Sequence, residues 1–337
     1  MFFAHTSINA KTIKMDKITI YQFTDPICVW CWGNEPTMRA IDYLYGSKIG
    51  VEYVMGGLIE EITTLYELKG STREIIDQAN SRIAENWVKA SERHGMPVNT
   101  RHFALFSERY PSSFPQNIAY EAARLIDPEV AKRFLRRIRE ATFIETRRTS
   151  QMDVLVELAV EIGLEAALFI DAYTSGDAQS NFTQSRMKCR RNGITGFPSY
   201  VIKCGSTKIT LNGYQNLSTF HAIIGRLSEG RIKPRRLGPS QANIIDFMRR
   251  YRSVYPVEIE VAFGLDKPRT DLMINELERS NKLSIENVGN GCRLTLCDNA
   301  KTSRMGRRGK VSATSQGDAT KNTNSSNRQA SDVEKMQ

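Results

Sequence analysis

Two cysteines three positions apart form the most reactive pair in the 337-residue sequence. The pair lies in Cys28-Val29-Trp30-Cys31 and is followed at once by Trp32. Such a pair can form a disulfide, exchange thiols with another disulfide, or supply half of a zinc site. The thiolate is the reactive form of cysteine, so the surroundings of the two sulfurs decide which chemistry is available.

The flanking residues place this pair between a strand and a helix. Residues 17–23 alternate β-branched and aromatic side chains and predict a strand, whereas the apolar spacing of residues 34–45 predicts a helix. A sulfur in the first turn of a helix faces unpaired N–H groups and the positive end of the helix dipole, which favour the thiolate. We therefore predict that Cys28 is the nucleophile. Cys31, one helical turn later, would resolve the mixed disulfide.

The other elements of this region follow a recognisable order. Residues 49–55 predict a second strand, parallel to the first, through a right-handed crossover. Helical periodicity then predicts helices at residues 72–94, 116–126, 129–142, 152–162 and 165–175. A hairpin and a closing helix are predicted at residues 198–202, 208–211 and 217–227. This α/β order resembles a thioredoxin fold with a large all-helical insertion.

The C-terminal part predicts a small separate module. Residues 233–239, rich in Pro, Gly and Arg, are typical of a linker. A helix is predicted at residues 243–251, and the short apolar segment 257–263 is taken as a second one. A third helix at 267–280 and a hairpin at 283–296 complete the order of a winged-helix-like module. Carboxylates at Asp271, Glu276 and Glu278 would repel phosphates, so we expect protein contact rather than nucleic-acid binding.

Charge and composition set the expected surroundings. Hydrophobic residues make up 40% of the chain, enough for a folded core, and the net charge is +10. Much of the excess lies in residues 301–337, which hold almost no aliphatic side chains and are predicted to be disordered. The sequence contains no apolar run of about 18 residues, so we expect no membrane span. No signal-peptide core follows the N-terminal lysines, so we expect a cytoplasmic protein.

These patterns predict five divisions of the chain: a flexible N-terminus at 1–16, a thioredoxin-like domain at 17–58 and 186–232, an inserted helical domain at 59–185, the winged-helix-like module at 240–298 and a disordered basic tail at 299–337. Their order places the cysteine pair near the start of the thioredoxin-like domain.

Two motifs at opposite ends of the helical insertion resemble the DsbA family of thioredoxin-like proteins. One is the Asp-Pro-x-Cys-x-Trp-Cys-Trp run, and the other is Gly-Phe-Pro-Ser at residues 196–199. The resemblance covers roughly residues 17 to 230 and is closest to FrnE-like disulfide isomerases and ClpXP adaptors of the YjbH or SpxH type. It implies that Pro198 is cis and faces the dithiol, and that Phe197 offers its backbone to an extended substrate. Trp30 would add an apolar substrate surface.

The leading hypothesis is a thiol–disulfide oxidoreductase or isomerase that acts on protein disulfides without a cofactor. The family's strongly oxidising member carries Pro-His between its cysteines, so Val29-Trp30 predicts a less oxidising pair. In a reducing cytoplasm the net direction would be reduction or isomerisation, with glutathione or thioredoxin as the cellular reductant.

Other functions remain open at this point. An adaptor would recruit a client without turnover, which the appended module and tail favour. A glutathione-dependent isomerase of the kappa transferase type usually carries a single Ser or Cys at the active position, so Cys31 argues against it. Zinc binding would need a second pair, and Cys189, Cys204, Cys292 and Cys297 do not supply one with suitable spacing. We therefore predict no metal site.

Two groups of side chains have structural interpretations. Trp32 is as well suited to the protein core as to a substrate surface. Arg133, Arg136, Arg137 and Arg139 are interpreted as the solvated face of an inserted helix.

Overall fold

The N-terminal elements follow the predicted β-α-β order. A computed structural model describes residues 16–297, so the predictions for the N-terminal segment 1–15 and for the tail lie outside the described residues. Strand β1 spans Ile18–Thr24, helix α1 Val29–Gly33, helix α2 Glu35–Tyr45 and strand β2 Ile49–Met55. β1 and β2 pair in parallel. The cysteine pair therefore lies where the first strand gives way to helix.

A helical region follows β2, as the periodicity predicts. Its helices are α3 Thr72–His94, α4 Phe114–Ile126, α5 Pro128–Phe143, α6 Met152–Glu161, α7 Ala166–Thr174 and α8 Asp177–Arg191. Asp127 is the N-cap of α5, and its carboxylate accepts hydrogen bonds from the backbone N–H groups of Glu129 and Val130. α8 was not predicted, because only Ala178, Phe182 and Cys189 of its residues are buried and the apolar pattern is weak.

The chain then returns to the sheet. Strands β3 Ser199–Cys204 and β4 Thr207–Asn212 form an antiparallel hairpin, and helix α9 spans Leu217–Leu227. β3 also pairs antiparallel with β1, which gives the strand order β2-β1-β3-β4. β1 is thus an inner strand, and Ile18, Ile20 and Phe23 are fully buried. The predicted α/β class and the helical insertion are confirmed.

The C-terminal elements form a second, smaller group. They are helices α10 Gln241–Tyr251, α11 Pro256–Phe263 and α12 Lys267–Arg279, followed by the antiparallel strands β5 Leu283–Val288 and β6 Gly291–Leu296. The short apolar segment, predicted as the second helix of this group, is α11, which begins at Pro256 and is capped by the side chain of Glu258. We call α10 to β6 the C-terminal module; its winged-helix assignment stays a prediction.

The C-terminal module shares one apolar core with the sheet. The cluster includes Ile20 and Tyr200 from the strands, Tyr43 from α2, and Phe247 and Ile259 from the module. Tyr43 meets Phe247 edge-on with ring centroids 5.1 Å apart. The core is therefore continuous across the predicted linker, and the five predicted divisions stay predictions.

The predicted linker is itself held against α2. The backbone N–H of Arg235 donates to the carbonyl of Leu44 at 2.8 Å, and its guanidinium donates to the carbonyl of Tyr43. None of the helices within residues 16–297 is both long and apolar enough to cross a bilayer.

Candidate active site

The two cysteines lie at the N-terminus of α1, within hydrogen-bonding reach of each other. Cys28 is the N-cap residue, and its Sγ accepts a hydrogen bond from the backbone N–H of Cys31 at 3.2 Å. Both are free thiols. Cys28 is 4% exposed and Cys31 is fully buried. The pair is thus asymmetric, with an outer sulfur at Cys28 and an inner one at Cys31.

A buried carboxylate holds the loop that carries Cys28. Asp25 accepts hydrogen bonds from the backbone N–H groups of Ile27 at 2.9 Å and Leu58 at 2.7 Å. It also accepts from Ser113 Oγ at 3.1 Å and Asn117 Nδ2 at 2.8 Å. Burial raises the pKa of Asp25 despite these donors. One side chain therefore fixes the loop between β1 and α1, which we call the redox loop, to the segment after β2 and to α4.

The second predicted motif lies directly against Cys28. The Phe197–Pro198 peptide bond is cis. The carbonyl oxygen of Phe197 is 3.5 Å from Cys28 Sγ. The Phe197 ring lies over Gly56, where a Cβ would stand 1.9 Å from the ring, so only glycine leaves room for it. The end of β2 thereby positions the proline loop beside the outer sulfur.

An apolar groove of about 460 Å³ opens beside Cys28. Side chains from the redox loop, the segment after β2 and α3 line it: Ile27, Val29, Leu58, Ile59, Leu65, Ile83, Trp87 and Ala90. Trp30 and Phe197 also border it. Leu58 and Leu65 are 43% and 40% exposed. This site can accept an apolar polypeptide segment next to a thiol.

The structure therefore brings together Cys28, Trp30 and Phe197 at the groove, whereas Pro198 is buried and is not among the residues that line it. Trp30 is half-buried and contacts His94 and Tyr214 edge-on. Trp32 belongs to the core, where it stacks on Phe143 and donates from Nε1 to the carbonyl of Pro97 at 2.9 Å. The roles assigned to these residues from the sequence stay predictions.

Behind the dithiol lies a buried arginine that the sequence interpretation missed. Arg139 of α5 is fully buried, pairs with the carboxylate of Glu35 through Nη1, and donates from Nη2 to Thr24 Oγ1 at 2.5 Å. The Thr24 hydroxyl and the Arg139 charge both lower the pKa of Cys31. A positive charge therefore faces the inner sulfur from the helical insertion.

The surroundings shift the pKa values of the two cysteines in opposite directions. Burial raises the pKa of Cys31, but the Cys28 thiol, the Arg139 charge and the Thr24 hydroxyl outweigh it, so the net pKa is lowered. Burial and the neighbouring Cys31 hold the pKa of Cys28 well above its ordinary value. The position at a helix end favours a thiolate at Cys28, but in the packed pair it is the pKa of Cys31 that is lowered, because the Arg139 charge and the Thr24 hydroxyl favour its thiolate.

The interpretation of Arg136 and Arg139 as part of a solvated face was wrong. They are 8% and 0% exposed, whereas Arg133 is exposed as expected. The signal was available: Arg139 comes four residues after the buried Leu135 and three before the buried Thr142, so it lies on the apolar stripe of its helix. A charge on that stripe needs a buried partner.

The remaining cysteines lie elsewhere. Cys189 packs beside the sheet, and burial raises its pKa to about 11. Cys204 lies on β3, Cys292 lies on β6, and Cys297 follows β6. Within residues 16–297, no three His, Cys, Asp or Glu side chains are grouped so that they could hold a metal ion.

Comparison with known proteins agrees with this arrangement. A family model described as Thioredoxin matches residues 21–222. The chain belongs to the thioredoxin family. A crystal structure from Nitrosomonas europaea, of a protein whose proposed activity is disulfide isomerisation, superposes with a TM-score of 0.54. It is 21% identical and covers 64% of this chain and 100% of its own.

Two sequence relatives extend beyond the thioredoxin region. The ClpXP adapter protein SpxH of Halalkalibacterium halodurans is 24% identical over 279 residues, which is 82% of this chain and 87% of the relative. That of Bacillus cereus is 20% identical over 280 residues, or 82% and 90%. The predicted resemblance to DsbA-type thioredoxin-like proteins, including the SpxH branch, is confirmed.

The unequal pair predicts a two-step thiol titration. In a variant with Cys189, Cys204, Cys292 and Cys297 replaced by alanine, absorbance at 240 nm should show one thiolate forming below the ordinary pKa of 9.0 and a second well above it. Because the folded pKa of the first group is lowered, its stabilising effect on the reduced protein is present above the ordinary value and is lost as the pH falls through the folded pKa.

Replacing Cys31 by alanine in the same background should remove the lower transition, because the charge lies on that sulfur. Two thiols that titrate together near pH 9 would contradict the unequal pair.

Proposed function

We propose that this protein is a thiol–disulfide oxidoreductase or isomerase of protein substrates. The single observation that carries the proposal is the placement of Cys28 Sγ at an apolar groove, 3.5 Å from the carbonyl of Phe197, with Cys31 directly behind it. An outer sulfur that lines a groove and an inner sulfur within reach of it suit a two-step exchange.

The proposed reaction begins with a proton transfer within the cysteine pair. Cys28 gives its proton to the Cys31 thiolate and attacks one sulfur of a substrate disulfide, so a Cys28–substrate bond forms and the substrate S–S bond breaks. The leaving sulfur departs as a thiolate and takes a proton. Cys31, once deprotonated, attacks Cys28 Sγ and releases the second substrate thiol. The products are a Cys28–Cys31 disulfide and a substrate reduced by two electrons.

The surroundings suit an unfolded or extended polypeptide. Apolar side chains beside a substrate cysteine would enter the groove between Trp30 and Leu65, while the Phe197-Pro198 loop aligns the substrate backbone. A thiol reductant, glutathione or thioredoxin, would return the Cys28–Cys31 disulfide to the dithiol. A cytoplasmic setting, and with it a net direction of reduction or isomerisation, is part of the proposal.

Turnover assays test this function directly. The reduced protein should catalyse the reduction of insulin by glutathione, and it should refold a substrate with scrambled disulfides. Cys28→Ser should lower both rates by about 100-fold or more, because the attacking sulfur is lost. Cys204→Ser removes a half-buried thiol on β3, outside the groove, and serves as the matched control with rates within about twofold of the parent. Wild-type protein that performs neither reaction would overturn the proposal.

A second candidate function is that of an adaptor. The observation that favours it is the match over 82% of this chain to relatives named ClpXP adapter protein SpxH. The structure adds exposed apolar side chains suited to protein contact: Leu58 and Leu65 at the groove, and Leu272 on α12, which is 59% exposed. A client would then be held without turnover, and the dithiol would act as a redox switch.

Client degradation separates the adaptor from the enzyme. An adaptor should accelerate degradation of a bound client by purified ClpXP, and the Cys28→Ser/Cys31→Ser double variant should retain at least about half of that effect, since binding needs no exchange step. Leu65→Asp should weaken it by placing a charge in the apolar contact. Loss of all acceleration in the double serine variant would contradict binding without thiol chemistry.

A further inference from the structure

A buried charge cluster connects the dithiol to the C-terminal module. Three carboxylates and three guanidinium groups form it: Glu35 and Arg39 of α2, Arg136, Arg139 and Glu140 of α5, and Glu258 of α11. All six side chains are less than about a tenth exposed. The cluster therefore lies where α2, the helical insertion and the C-terminal module meet.

The contacts alternate in sign from the inner sulfur outward. Arg139 donates to Thr24, pairs with Glu35, and lowers the pKa of Cys31 through its charge. Glu35 also pairs with Arg136 at 3.4 Å. Arg136 pairs in turn with Glu258, at 3.1 Å. Glu258 ends the row on the module side.

Several groups compete within this row. Arg136 divides its guanidinium among Glu35, Glu140 and Glu258, and Arg39 also pairs with Glu258, at 3.0 Å. The cluster without the thiolate is already balanced, three charges against three. A thiolate at Cys31 adds a fourth negative charge. This thiolate and the Glu35 carboxylate then compete for the positive charge of Arg139.

Two features make this competition strong. In a buried site the effective dielectric is far below that of water, so each pairing is felt by its neighbours. The Nε of Arg139 is buried and has no hydrogen-bond partner within residues 16–297. Glu35 and Thr24 thus leave its hydrogen-bonding capacity incomplete, and a negative charge on the nearby Cys31 is favoured.

We propose that Arg139 is a positioning residue that stabilises the reduced dithiol, and that Glu258 of the C-terminal module weakens this stabilisation through Arg136 and Glu35. The module thereby sets how readily the dithiol is oxidised. With Glu258 in place, Arg136 is shared, Glu35 holds Arg139 more tightly, and less of the Arg139 charge is available to Cys31. The inference rests on the proposed function, because it requires that Cys28 and Cys31 form a disulfide.

The test uses the exchange reaction of the dithiol with glutathione disulfide. The two thiols lose two protons and two electrons, the Cys28–Cys31 bond forms, the glutathione disulfide bond breaks and two glutathione thiols appear. The equilibrium constant for this oxidation is obtained at fixed pH in the full chain from the fraction of protein oxidised in glutathione buffers of varied ratio.

Two substitutions should shift this constant in opposite directions. Arg139→Met removes the charge that favours the reduced form, so the constant should rise about tenfold, equivalent to a potential about 30 mV more negative. Glu258→Gln preserves the size of the side chain and frees Arg136 for Glu35, so the constant should fall about threefold, the ratio of half a pKa unit. Arg139→Lys should restore at least part of the wild-type value.

Asp42→Asn is the matched control. Asp42 also joins α2 to the module, through an ion pair with Arg250 at 2.9 Å, but both partners are more than two-fifths exposed. It should loosen the module without changing the equilibrium constant by more than about twofold. If Arg139→Met does not fold, the comparison of Glu258→Gln with Asp42→Asn still decides the question.

Three different results would overturn three different parts of the proposal. Equal constants for Glu258→Gln, Asp42→Asn and the parent would overturn the link to the module, and an unchanged constant in folded Arg139→Met would overturn the role of Arg139. A wild-type protein that forms no Cys28–Cys31 disulfide in any glutathione buffer would instead overturn the proposed function.

Discussion

The burial of Arg139 is the constraint on which the rest of this site depends. A guanidinium keeps its charge at any ordinary pH, so in the interior it must be placed among negative groups and acceptors. Glu35 and Thr24 supply these from α2 and β1, and the Arg139 charge in turn lowers the pKa of Cys31. The thiol pair is therefore built around an internal cation that arrives from the helical insertion, and the insertion is part of the site.

The two sulfurs have different surroundings in this arrangement. Cys28 contacts the groove and the Phe197 carbonyl, so it meets whatever enters from solvent. Cys31 is closed to solvent, and the Arg139 charge lowers its pKa. Chemistry at the outer sulfur is thus coupled to the packing of α2 and α5 by way of the inner one. Arg136, which lies over the ring of Trp32 at 4.5 Å, continues the same packing toward the C-terminal module.

Local patterns in the sequence were enough to predict most elements and the position of the cysteine pair. Alternation over residues 17–23 and the repeat over 72–94 depend on near neighbours, and the observed elements, at Ile18–Thr24 and Thr72–His94, lie within one residue of the prediction. The charged contacts could not be found in this way. Glu35 and Arg139 are 104 positions apart, and Arg39 and Glu258 are 219 apart, so only the folded chain shows which charges pair.

The C-terminal module shows the same limit. Its element order was predicted, but the apolar core that it shares with the sheet and its buried ion pair with α2 were not, because they join residues far apart in the chain. The groove was also outside the reach of sequence patterns, because it is assembled from the redox loop, the segment after β2 and α3. Surfaces made from distant segments depend on tertiary packing rather than on periodicity.

The most direct test of the central claim, that Cys28 is the sulfur that attacks substrates, is covalent trapping. Replacing Cys31 by alanine removes the resolving sulfur, so disulfide-linked proteins should accumulate on Cys28 and be identified by peptide mass spectrometry. The same adducts should be absent from Cys28→Ala/Cys31→Ala. A Cys31→Ala protein that carries no linked partners, or carries them equally on Cys204 or Cys297, would contradict the claim.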